Sequence, residues 1–130
     1  MARTLSTETL IDLAEAEGIS VHWHTGGPKG AWIPETQRIS IRYGMSEAQT
    51  RCTLAHELGH ARYGHPAGHD ERHEKIAWRY AAQLLISEAD YAAAERAYGH
   101  DHRIIAARLG VTQHLVGVWA ETWERKRLAA

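Results

Sequence analysis

The sequence has one cysteine, no phenylalanine, three prolines, two methionines and no long apolar run. A single thiol, Cys52, cannot close an internal disulfide, which makes a reducing, cytoplasmic compartment the expectation. The opening stretch MARTLSTETLIDLAEAEG is charged and amphipathic and lacks the apolar segment of a signal peptide. No later segment reaches the roughly 20 apolar residues of a membrane-spanning helix, so no membrane partner is expected. Neither sign of charge is in excess. The net charge is -1 with histidine neutral, so bulk electrostatics give no reason to bind nucleic acid. Met1 and Met45 both precede the histidine-rich segment described below, which excludes any site needing a methionine turn after it.

What is present suits one globular domain: 130 residues, 44% hydrophobic and 24% charged. Leu10, Ile11 and Ala14 recur at helical spacing between a capping Thr7 and Gly18. ISVHW (Ile19 to Trp23), AWI (Ala31 to Ile33) and RISIRY (Arg38 to Tyr43) read as short strands. PETQ would close a hairpin between the last two, giving a small antiparallel sheet. Ser46 and Gln49 form a capping box that opens a helix ending near Tyr63. Asp70 or Glu71 starts the next helix, whose apolar stripe runs through Ile76, Ala77, Tyr80, Ala81, Leu84 and Leu85. Ser87 caps a third helix closed by Gly99, and two short helices meeting at Gly110 follow. Helix, small sheet, then helices is an α+β order.

HELGH, His56 to His60, carries the chemistry. A helical turn takes about 3.6 residues, so positions four apart share a face. His56 and His60 can bind one tetrahedral Zn²⁺, with Glu57 beside them as general base for a bound water. Gly59 is costly inside a helix, by about 1 kcal/mol against alanine, which points to a close backbone approach there. The extended pattern with a third histidine needs Gly at 63 and His at 66, where the chain has Tyr63 and Pro66. His65, His69 and His73 cannot align on one helix across Pro66 and Gly68, and we read them as bystanders. Glu74 suits the third ligand best, because its helical neighbours Ala77, Trp78, Ala81 and Leu85 are apolar and an unpaired charge there would be costly. Glu71, Asp70 and His73 are the alternatives.

LAHELGHARYGH followed by HEKIAWRYAAQLLI resembles the ImmA/IrrE family of metallo-endopeptidases, over about Thr7 to Tyr98. The resemblance implies a compact zincin-like fold, with His56, His60 and Glu74 as ligands of Zn²⁺ and Glu57 as base. It also implies a bacterial, phage or mobile-element protein whose substrate is a helix-turn-helix repressor, cleaved or otherwise inactivated. Members often carry Asp or Asn where this chain has Trp78, a residue able to hydrogen-bond a ligating histidine, and many have Pro where Ser87 stands. On this reading residues 1–100 form the peptidase core, and residues 101–130 form a helical pair packed on it as one domain.

Ile104 to Trp119 has the small, turn and apolar positions of a helix-turn-helix at Ala106, Gly110 and Val116. Thr112, Gln113, His114 and Gly117 would form its DNA-reading face. That face has little positive charge, so packing on the core through Ile104, Ile105, Leu109, Leu115, Val118 and Trp119 is the favoured role. The alternative to an enzyme is a non-catalytic, metal-stabilised regulator that grips a repressor or DNA with these helices. Hydrolysis further needs an oxyanion donor, for which Tyr63, Tyr91, Tyr98, His100 and His102 are candidates.

Overall fold

The computed structural model describes residues 5–129. The expected boundaries at 1 and 130, and the first four residues of the amphipathic opening stretch, lie outside them. Six helices and three strands follow in the order α1 (Thr7–Ala16), β1 (Ser20–His24), β2 (Gly30–Ile33), β3 (Arg38–Arg42), α2 (Glu47–Arg62), α3 (Glu71–Leu85), α4 (Glu88–Tyr98), α5 (His102–Leu109) and α6 (Gln113–Ala129). The architecture is α+β. The cap of α1 is Ser6 rather than Thr7: the Ser6 hydroxyl accepts from the Thr9 amide, while Thr7 Oγ1 donates to Glu47.

The sheet is mixed, not purely antiparallel. Its order is β1-β3-β2, with β2 antiparallel and β1 parallel to β3. The β2–β3 hairpin forms across Pro34 to Gln37, whose last residue takes φ 50°. β1 then joins the opposite side of β3, so the Thr25 to Lys29 connection must span two strand spacings, about 10 Å. Gly26 and Gly27, at φ 69° and 70°, let it do so. Ile39 and Ile41 of β3 point into the core.

Under the sheet lies α2, buried continuously from Thr50 to His60. A helix buried on every side needs neighbours on every side. The sheet and α1 cover one flank, α3 packs along another, and α6 in turn packs on α3. The stripe on α3 is narrower than the sequence suggests: Ala77, Ala81, Ala82 and Leu85 are buried, whereas Ile76, Tyr80 and Leu84 are half-exposed. The C-terminal pair turns at Gly110, φ 69°, and Thr112 caps α6 by accepting from the Leu115 amide. α6 is not short, at 17 residues. Ile105, Leu115, Val116 and Trp119 join the core, but Ile104 stays exposed. Among the described residues no helix is long and apolar enough to cross a membrane.

Candidate metal centre

Local capping sets the two helices that frame the site. Ser46 accepts from the Gln49 amide, and the Gln49 side chain donates to Thr53 Oγ1 instead of returning to close the box. Asp70 caps α3 through the Arg72 and His73 amides. The helices meet at Gly59. A Cβ placed there would lie 2.8 Å from the Ala77 carbonyl oxygen and 2.9 Å from its Cα. Only glycine permits that approach, and the approach carries Glu74, one turn before Ala77, over the histidine pair.

The carboxylate of Glu74 spans both rings. His56 Nε2 donates to Oε2 at 2.8 Å and His60 Nε2 to Oε1 at 3.1 Å. Two imidazole nitrogens and a carboxylate facing one point are the donor set of a catalytic zinc site, so the residues present fit a divalent ion. Glu57, also buried, accepts from His56 Nδ1 at 3.0 Å. The ligand atoms of His56, Glu57 and His60 lie within 4.8 Å of one another, so both carboxylates are near enough to compete for a metal. Among the described residues Glu74 alone hydrogen-bonds the Nε2 atoms of both histidines.

Electrostatics distinguish the two rings. Burial pulls the His56 pKa down, but the hydrogen bonds and charges of Glu57 and Glu74 outweigh it and leave the value raised. His60 is lowered, first by burial and then by the charge of His56.

His65 is not a bystander. It is 5% exposed, and its Nδ1 lies 2.9 Å from His60 Nδ1, one nitrogen donating and the other accepting. Gly64, φ 64°, turns the chain back so that the His65 amide reaches the His60 carbonyl. The His65 carbonyl accepts from Trp32 Nε1. Such a contact fixes the tautomer and plane of a metal-ligating ring. The histidine ring of residue 73 stacks on it at 4.1 Å. His69 stays exposed in the loop, Asp70 caps α3 and Glu71 is exposed at its start, so none of these meets the His56 and His60 Nε2 atoms. Trp78 stacks on His56 at 4.0 Å and 18°, holding by its face a ring that an Asp or Asn would hold by a hydrogen bond.

Two cavities flank the pair. One, of about 380 Å³, lies between β2, the 66–69 loop and the side chains of His56, Glu57, His60 and Glu74. β2 is the last strand of the sheet, so its outer backbone edge is unpaired among the described residues. A Cβ on Gly30 would come within 2.6 Å of Thr53 Cγ2 and 3.2 Å of Glu57 Oε2. The second cavity, of about 290 Å³, is lined by Glu57, Trp78, Lys29 and His114 among others. The expected oxyanion donors do not line either: Tyr91 is buried in the core, Tyr98 accepts from Arg108, Tyr63 points to solvent and His100 pairs with Glu95. His102 borders a hollow that neither Glu57 nor the His56 and His60 pair lines.

A model of the family described as Peptidase M78, IrrE N-terminal-like domain, matches residues 14–118. Among solved structures the chain is similar to a Mycobacterium tuberculosis transcriptional regulator, with a TM-score of 0.69 and 18% identity over 86% of this chain and 39% of that one. That likeness is one of fold, and the chain spans well under half of that protein's length. No curated protein matches the sequence.

Proposed function

The chain belongs to the IrrE N-terminal-like domain family of peptidase M78, and from that membership we propose that it is a zinc-dependent endopeptidase acting on a helix-turn-helix repressor. The observation that carries the reading is the placement of Glu57. It is a buried carboxylate on the metal helix, beside the His56, His60 and Glu74 set and against the unpaired edge strand. Zinc held by His56, His60 and Glu74 would polarise a substrate carbonyl and acidify a neighbouring water.

The chain's own residues do the rest. The outer edge of β2 offers amides and carbonyls to an extended peptide, which would add as a further strand and lay its backbone along the site. Gly30 has no side chain there, so the strand can run against Glu57. Glu57 takes the proton of the attacking water and gives it to the leaving amine nitrogen. His65 and Trp78 hold the planes of His60 and His56.

A regulatory protein as substrate is supported by the resemblance of the two motif helices to ImmA/IrrE members. DNA as direct ligand has less support. Of the face that would read bases, His114 packs on Trp78 and lines the cavity beside Glu57. The test is Glu57→Gln in the zinc-loaded full chain, incubated with a purified helix-turn-helix repressor from the same genome. Loss of a general base lowers the rate about 10²–10⁴-fold, while the zinc content stays that of the wild type. A variant that cleaves at the wild-type rate sinks the assignment.

A further inference from the structure

We propose that His114, on the first turn of α6, is the hydrogen-bond donor that stabilises the oxyanion of the scissile carbonyl. This deepens the peptidase reading and rests on it.

The argument starts from the cavity of about 290 Å³ on the α6 side of Glu57. Several side chains with polar hydrogens line it. One N–H of the Gln49 amide donates to Thr53 Oγ1, and the Thr112 hydroxyl oxygen accepts from the Leu115 amide as the cap of α6. Lys29, at the end of the glycine turn, is exposed, and so is His114. His114 differs from Gln49, Thr112 and Lys29 in its contact with the aromatic ring that stacks on His56. Among the described residues neither nitrogen of its ring has a hydrogen-bond partner, yet the ring is held edge-on against Trp78, centroids 4.6 Å apart at 84°. Trp78 in turn lies flat on His56. An exposed imidazole packed edge-on against Trp78, one aromatic ring away from His56, offers a ring N–H beside the cavity that Glu57 lines.

The backbone of this corner is tied to the metal helix. Arg51 of α2 donates from Nη1 to the Gly110 carbonyl, and the Thr112 amide donates to Cys52 Sγ at 3.4 Å. Both ties fall within four residues of His114, so its ring and the Glu57 carboxylate are referenced to the same helix. Placement on the first turn of a helix adds the positive end of the α6 dipole on the side where negative charge would develop.

In the step itself the water oxygen bonds to the carbonyl carbon and the carbonyl π pair moves onto oxygen. Glu57 receives the water proton. The His114 N–H donates to the oxygen and keeps its proton throughout. When the C–N bond breaks, the pair returns to the carbonyl and the proton on Glu57 goes to the departing nitrogen. The C-terminal helical pair is then part of the catalytic cleft.

The test uses the zinc-loaded full chain and its His114→Ala, His114→Gln and Glu57→Gln variants, with the same helix-turn-helix repressor as substrate. Zinc stoichiometry and the thermal midpoint are measured alongside. His114→Ala is expected to lose about 10²–10³-fold in kcat, with KM, zinc content and midpoint unchanged. His114→Gln, which keeps an N–H, is expected to recover part of that loss. N-phosphoryl-Leu-Trp, whose phosphoryl oxygens copy the tetrahedral carbon's, should bind the alanine variant more weakly by a similar factor. Wild-type kcat in His114→Ala with Glu57→Gln inactive overturns the role of His114 and leaves the peptidase standing. A rise in KM alone, loss of zinc, or equal binding of the phosphoryl dipeptide, including none to either protein, also overturns it. No cleavage by the wild type removes the peptidase reading, and the donor with it.

Discussion

α2 and α6 are nearly equal in length, 16 and 17 residues, but they live in opposite surroundings. Eleven consecutive residues of α2, Thr50 to His60, are buried, whereas α6 buries Leu115, Val116 and Trp119 and leaves most of the rest to solvent. The buried span of α2 nevertheless includes Arg51, Thr53, His56, Glu57 and His60. A polar group removed from water must find a partner or cost stability, and most of these find them: Leu5 and Gly110 carbonyls for Arg51, Gln49 for Thr53, Glu74 and Glu57 for the histidines, with Arg51 Nη2 buried and left without one among the described residues. On α6 the charges pair loosely at the surface, as in Arg125 with Glu121. The contrast teaches how to weigh a polar residue here. In α2 its position is set by the whole fold; in α6 it is set by solvent, joined at the exposed His114 by a contact with Trp78.

Substitutions can break that contrast or sharpen it. The largest effect is expected at Gly59→Ala. Overpacking costs about 1–3 kcal/mol, and here the obstacle is the Ala77 backbone, which cannot rotate away. Stability should fall near the top of that range and zinc stoichiometry should drop as Glu74 retreats; urea unfolding and metal analysis report both. An unchanged midpoint would show α2 and α3 to be less tightly joined than the geometry says. Arg51→Ala follows, leaving two carbonyls without their donor at about 2 kcal/mol, read by the same unfolding curves. His65→Ala should weaken zinc binding about 10–100-fold in a chelator competition and, by leaving His60 Nδ1 buried without its partner, cost the metal-free protein about 1 kcal/mol. Arg125→Ala should cost less than about 0.5 kcal/mol. A larger loss there would mean that the outer face of α6 carries structure after all.

Much of the site was legible because it is local. The spacing of His56 and His60 and the cap at Ser46 fall within one helix, and the apolar residues after Glu74 mark that acid as one needing a partner. The hairpin was legible for the same reason. The parallel pairing of β1 was not: alternation in ISVHW announces a strand but does not name its neighbour, which comes from the other side of β2. His65 was missed because its burial depends on a left-handed turn at Gly64; a glycine four residues after His60 and directly before another histidine is the signal that could have found it. His114 lies 57 residues beyond Glu57, on a segment whose turn chemistry spoke of DNA. Only the packing of α6 on α3 shows which way it faces.

The contact at Gly59 also constrains how this chain can vary. Most tight pairs in a core can be inherited as trades, one side chain growing as its neighbour shrinks. Gly59 has no such partner, because what it meets is the main chain of residue 77, identical whatever amino acid stands there. A substitution at 59 therefore has no second-site remedy short of moving one helix off the other, and that movement would draw the carboxylate of Glu74 away from both histidines at once.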